Sequence, residues 1–306
     1  MKKIDPYIIC CYLYPITKYG YPPPAENTIT YLEEMKALGF QSVELEGIRE
    51  THLLQMREMR FDIKKKLTEL DLQVPVYCAV LPGLASHDQR ERTQNLQLFE
   101  LGCETARELG AHAILDNGPL PPYQFPEGIP VARHYDEDTL RVASLPAALK
   151  WRPYWANLVA TYRQACDIAA SYGLTYHLHP CLGALVATAD AFLYFQDAVG
   201  RGNLRFNLDT ANQFFLRDNL VLCLRRLAGS IDYIHLSDNR GVRVEHLPPG
   251  QGIVNWDDFF AALKLIAFKG EIGIDIGGAE SAVADLDSAY VDAASWLETK
   301  WKRESK

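Results

Sequence analysis

LTYHLHPCLGALVATADAFLYFQDAVGRGNLRFNLDT, residues 174–210, decides the fold. It opens on a short apolar run with β-forming residues, 174–180. It continues through an apolar-periodic segment, Ala189–Val199, that stops at Gly200, and it returns to a second short run, 204–210. Gly200 ends the periodic stretch because glycine takes positive φ without a Cβ clash. Two short strands joined by a helix of this length form one parallel crossover unit, since parallel strands need a connection of a dozen residues or more.

The same unit recurs in both directions. Further strand-like runs are YIICCYLY (7–14), QSVELEG (41–47), QVPVYCAV (73–80), AHAILDN (111–117), IDYIHLS (231–237) and EIGIDIGG (271–278). Helical periodicity fills 25–38, 52–70, 88–109, 153–172, 218–228, 257–268 and 281–302. The strands are apolar on both faces, which indicates a parallel sheet covered by helices. Eight strands alternating with eight helices close most simply into an α/β, single-domain (β/α)8 barrel spanning residues 1–306. No GxGxxG follows the first strand, so an open dinucleotide-binding sheet has no support. Residues 118–152 interrupt the rhythm. Six prolines there forbid one long helix, and a loop of this length after the fourth strand, on the catalytic face, is expected to act as a lid.

Composition narrows the function classes. The 306 residues carry a net charge of −8, so a protein that coats phosphate backbones is disfavoured and no nucleic-acid partner is expected. No apolar stretch is long enough to span a bilayer, so no membrane partner is expected. The start, MKKIDPYIICC, resembles a leader, but Asp5 and Pro6 break it and it reads as the first buried strand. Seven scattered cysteines without a CxxC fit reduced thiols and a cytoplasmic location. Nothing in the sequence identifies an interface, although barrels of this type often form homo-oligomers.

In a barrel the chemistry sits at the carboxyl ends of the strands. Strand five ends in His177 and His179, which share a face; strand six ends in Asp209; strand seven carries His235; strand eight carries Asp275. Imidazoles and carboxylates converging from neighbouring strands suit one divalent first-row cation, Mn²⁺, Zn²⁺, Co²⁺ or Fe²⁺. A buried salt-bridge network of the same residues is the alternative.

The segments VELEG, YHLHP, NLDTAN, IHLSDNRG, PPGQGIVNW and GEIGIDIGG together resemble the sugar phosphate isomerase/epimerase superfamily, the xylose isomerase-like TIM barrels that include ketose 3-epimerases and inosose dehydratase. The resemblance implies four metal ligands on strands five to eight, which fall on His177, Asp209, His235 and Asp275. The family's usual glutamates on strands five and eight are here His177 and Asp275, and a frequent histidine after the strand-six aspartate is Asn212. The implied activity is metal-dependent isomerisation or epimerisation of a sugar or polyol through an enediolate, with His177, His179 and Asp275 as proton-transfer residues. An inosose dehydratase-like lyase, a sugar-binding barrel without chemistry and, least favoured, an endonuclease IV-type repair enzyme are the alternatives.

Glu44 and Glu46 share a face of strand two, Asp116 and Asn117 end strand four, and Asn212, Asp238, Arg240 and His246 lie on late βα loops. Glu44, Glu46, Asp116, Asn212, Asp238, Arg240 and His246 are the candidate substrate contacts, with Arg243 competing with Arg240 and His246 expected at the rim. His52, His87, His112 and His134 have no ligand-like neighbours and receive no role.

Overall fold

A computed structural model of the chain describes residues 3–129, 132–133 and 135–302; His134 lies outside them. Nine parallel strands run β1 (Ile8–Cys10), β2 (Ser42–Val43), β3 (Leu45–Ile48), β4 (Val76–Val80), β5 (Ala113–Asn117), β6 (Thr175–His179), β7 (Leu204–Asp209), β8 (Tyr233–Leu236) and β9 (Glu271–Ile274). Their order around the sheet is β2-β1-β9-β8-β7-β6-β5-β4-β3. β2 and β3 are one stretch of chain interrupted at Glu44, so the nine strands are eight staves of a barrel. The ring closes there: the Glu44 N–H donates to the Cys10 carbonyl and the Val43 N–H to the Gln73 carbonyl, both at 2.9 Å.

Eleven helices among the described residues surround it: α1 (Leu13–Tyr19), α2 (Thr28–Ala37), α3 (Arg49–Leu70), α4 (Gln89–Leu109), α5 (Glu137–Arg141), α6 (Trp151–Ser171), α7 (Ala189–Val199), α8 (Thr210–Phe215), α9 (Leu220–Arg226), α10 (Trp256–Leu265) and α11 (Leu286–Lys300). None of them is long and apolar enough to cross a membrane. α4 and α7 start as their sequences dictate, with Asp88 and Thr188 accepting from the Arg90 and Ala191 N–H groups. α1 and α8 are departures from expectation. α1 follows β1 within what reads as a single strand-like run and carries Pro15 inside it. α8 is capped by Asp209, the last residue of β7.

The strands alternate as a closed barrel requires. Tyr176 and Phe206 point outward, Tyr176 against Phe99 and Tyr162 and Phe206 against Phe192. Each ring is buried, and such burial is worth roughly 1.5–3 kcal/mol. The inward neighbours are polar or small. Gly273 on β9 is one of them: a Cβ there would lie 2.4 Å from Cys11 Sγ and 2.6 Å from the Tyr233 hydroxyl, so only glycine leaves room for that interior layer. All seven cysteines are free and buried.

The described residues between β5 and α6 lie over the carboxyl face of the barrel. They hold α5 and a bridge between Gln124 and Ser144, and the Tyr123 hydroxyl ties them to the Gly183 carbonyl at 3.1 Å. α6 begins at Trp151, so the last two residues of the expected loop belong to the helix. Trp151 and Trp155 stack toward Tyr194 of α7 on the outer face.

Candidate metal and active site

Asp209 anchors the site. As the final residue of β7 it pairs in register with His235 of β8. Its Oδ1 accepts the Asn212 N–H at 2.8 Å, which caps α8. Its Oδ2 lies 2.9 Å from His179 Nε2 and accepts Asn212 Nδ2 at 3.0 Å. His179 is the final residue of β6. Capping and site geometry thus fix the same carboxylate.

His235 is oriented from behind. Its Nε2 lies 3.0 Å from Glu44 Oε2, and that oxygen also accepts the Tyr233 hydroxyl at 2.9 Å. Its Nδ1 faces Asp275 Oδ2 at 3.8 Å. Asp275 follows β9, with its N–H bonded to the Leu236 carbonyl. His246, from the loop after β8, places Nε2 3.5 Å from Asp209 Oδ2 and 3.6 Å from Asp275 Oδ2. The His246 N–H donates to Ser281 Oγ at 2.8 Å, which fixes the loop.

These atoms fit a cation better than a hydrogen-bond network. His235 Nδ1, His246 Nε2 and Asp275 Oδ2 are buried without a hydrogen-bond partner, an arrangement that costs free energy. Two ligands ~2.1 Å from one tetrahedral cation stand roughly 3.4 Å apart, close to the 3.5–3.8 Å separations seen here. The sets His179–Asp209–His235 and Asp209–His246–Asp275 each bring one ligand atom per residue within 4.8 Å of the others. Glu44 behind His235 is the outer carboxylate that metal-bound histidines ordinarily have.

The electrostatics follow from burial and neighbours. Burial works against the charged form of His235, but Glu44 and Asp275 outweigh it and push the imidazole up to about 9. Burial likewise opposes charge on His246; Asp209 and Glu280 outweigh it and raise it to about 9. Burial holds His179 below the usual imidazole value despite Asp209 beside it. Burial alone would raise Asp209, yet contacts with His179 and His246 hold it well below the ordinary carboxylate range. Burial, then the Glu44 charge, pushes Glu46 up to about 8.

A cavity opens beside the cluster. Glu46, Asn117, Arg133, His179, His246 and Asp275 supply its polar wall, while Leu13, Val80 and Leu115 supply apolar surface. Asn212 also lines it, although its amide is committed to Asp209 and to the Pro180 carbonyl at 2.9 Å.

The structure therefore brings together His179, Asp209, His235 and Asp275, with Glu46, Asn212 and His246 around them. It does not bring His177. That residue shares the inward face of β6 with His179 but lies two residues, about 6.6 Å, deeper. Its Nε2 stands 3.0 Å from both Asp232 Oδ1 and Thr175 Oγ1 at the amino end of the barrel. The place expected for His177 is taken by His179. Asp116 points outward and accepts the Leu81 N–H at 3.1 Å, while its neighbour Asn117 lines the cavity. Asp238 organises the next loop, accepting from the N–H groups of Gly250 and Val254 and from Trp256 Nε1 at 2.7–3.1 Å. Arg240 is half-exposed and bonded to Glu245 at 2.8 Å. Glu44 stands behind His235. His246, expected at the rim, is fully buried between two carboxylates.

Arg133 escaped sequence reading. It lies in the proline-rich 118–152 segment, where no periodicity tells which residue points inward. Cys181, 3.6 Å from His179 Nδ1, escaped because it lies on the irregular loop after β6.

Comparison with known proteins places this geometry among relatives. A family model described as "Xylose isomerase-like TIM barrel" matches residues 32–300. The chain is similar to the L-ribulose-5-phosphate 3-epimerase of Shigella boydii serotype 18, 23% identical over 288 residues that cover 91% of each chain. It is also similar to the L-ribulose 3-epimerase of Mesorhizobium japonicum, 22% identical over 220 residues covering 70% of this chain and 65% of that one. Among solved structures, D-allulose 3-epimerase from Methylomonas sp. superposes with a TM-score of 0.74 at 18% identity, covering 98% of this chain and 99% of that one.

Proposed function

Given that the chain belongs to the xylose isomerase-like TIM-barrel family, we propose that it is a metal-dependent sugar epimerase acting at a carbon beside a carbonyl. The observation that carries this reading is the set of unpaired ligand atoms around Asp209 and Asp275. The relatives' names, ribulose and ribulose-phosphate 3-epimerase, support the reaction class.

His179, Asp209, His235 and Asp275 are the ligands in this proposal. A divalent first-row cation held there would supply Lewis acidity to a carbonyl and the adjacent hydroxyl. Glu44 keeps His235 in the tautomer whose Nδ1 faces the cluster. Glu46 lines the cavity with a carboxyl held near 8, so it exchanges protons close to neutral pH. It removes the proton from carbon, and the electron pair moves into the carbonyl to give an enediolate. His246 lines the same cavity from a stave well round the ring and returns a proton on the other face. Apolar Leu13, Val80 and Leu115 keep water from the carbanionic carbon.

The test is incubation of Mn²⁺-loaded protein with L-ribulose, L-ribulose 5-phosphate and D-allulose in D₂O. The expected result is deuterium on the carbon beside the carbonyl, abolished by a chelator. No exchange with any ketose would refute the epimerase reading, and loss of water from the sugar would replace it with a lyase.

A further inference from the structure

Arg133 is the one Lys or Arg among the described residues lining the cavity. Its segment reaches over the carboxyl face and delivers the guanidinium beside Glu46, His246 and Asp275. Nη2 lies 3.7 Å from Asp275 Oδ2 and Nη1 lies 3.5 Å from Glu280 Oε1. Both are ion-pair separations without a hydrogen bond, and Nη1 is buried with no hydrogen-bond partner. The nearby carboxylates balance the charge of Arg133 but leave Nη1 without a hydrogen-bond acceptor.

A guanidinium carries five N–H donors in a plane that matches a carboxylate or a phosphate. On the reading above, Asp275 is a ligand and its negative charge is drawn to the cation. A cation held by Asp275 would draw that carboxylate's charge away from Arg133 and leave the guanidinium to be met by another anion.

We infer that Arg133 binds an anionic group of the substrate, so that the sugar acted on bears a phosphate or a carboxylate. This rests on the epimerase reading and narrows it. Family membership leaves the point open, since the relatives' names include both a phosphorylated and an unphosphorylated ketose. Arg133 is here a specificity-determining residue: the oxyanion accepts from its unpartnered Nη1, and the apolar wall of Leu13, Val80 and Leu115 receives the carbon chain.

The test is isothermal titration calorimetry on the full chain, metal-free and Mn²⁺-loaded. Inorganic phosphate, D-gluconate and neutral D-sorbitol are the probes, with Arg133→Ala and Arg133→Lys beside the wild type. The expected result is binding of at least one oxyanion, weakened tenfold or more by Arg133→Ala and less by Arg133→Lys, with no change for sorbitol. Phosphate binding assigns a sugar phosphate; gluconate binding assigns a sugar acid. The inference is overturned if neither oxyanion binds the wild type, or if both variants bind within twofold of it. An oxyanion bound through Arg133 in a protein that exchanges no ketose proton would uphold the subsite and remove the epimerase reading, so the two failures are separable.

Discussion

His179 Nε2 lies 2.9 Å from Asp209 Oδ2, and the other oxygen of that carboxylate caps helix α8. Asp209 is therefore both a helix cap and the centre of the polar cluster, and substitution separates the two roles. Asp209→Asn keeps a side chain that caps well, whereas Asp209→Ala loses it. Both variants should lose bound Mn²⁺ on equilibrium dialysis. In thermal unfolding of the metal-free protein the alanine variant should be less stable than the asparagine variant by about 1 kcal/mol. Equal stabilities would show that the α8 cap contributes nothing.

The two histidines of β6 should behave oppositely. His179→Ala should reduce Mn²⁺ affinity at least 100-fold. His177→Ala should leave affinity within twofold while destabilising the fold by about 1–3 kcal/mol, the cost of disturbing a buried polar pair. Metal analysis after gel filtration reads the first effect and urea unfolding the second. Loss of metal from the His177 variant would contradict the placement.

The pH response has a defined sign. His235 and His246 stand at about 9 in the fold against about 6.5 unfolded. Their stabilisation is complete below 6.5 and disappears as pH rises through 9. Glu46 and Asp116, both raised to about 8, add a loss of the same sign that accrues from about pH 4 and is complete near 8. The metal-free protein should therefore melt at progressively lower temperature between pH 7 and 9.5, and His235→Gln should flatten the curve. Metal binding displaces the proton from His235, so Mn²⁺ affinity should rise across the same range. An affinity independent of pH would contradict the ligand assignment.

The loop after β8 depends on Asp238. Gly252 packs so closely that a Cβ would lie 2.2 Å from Asp238 Oδ1 and 2.5 Å from the Asn239 nitrogen. Gly252→Ala should destabilise the protein by about 1–3 kcal/mol and displace the loop that carries His246. A Tm within 1 °C of wild type, measured by calorimetry, would show that the loop gives way freely.

Much of the fold is legible in the sequence because barrel strands and their helices obey local rules. The apolar runs ending in His179, Asp209 and His235 announce buried parallel strands, and Gly110 and Gly200 end α4 and α7 in the left-handed conformation. Depth along a strand is a different matter. His177 and His179 share one face, and only the register of the ring decides which reaches the open end. Asp116 and Asn117 both end a strand, and only the structure shows that Asn117 rather than the aspartate turns inward. Arg133 and His246 sit on irregular loops whose course is set by tertiary contacts such as His246 N–H to Ser281. No period in the chain encodes those contacts, and α1, with Pro15 inside it, is hidden for the same reason.

The central claim is that His179, Asp209, His235 and Asp275 share one cation. Crystals soaked in MnCl₂ and measured for anomalous scattering test it most directly. The account predicts one peak per chain, about 2.0–2.3 Å from His179 Nε2, Asp209 Oδ2, His235 Nδ1 and Asp275 Oδ2. A peak elsewhere in the barrel, or none at saturating Mn²⁺, would contradict it.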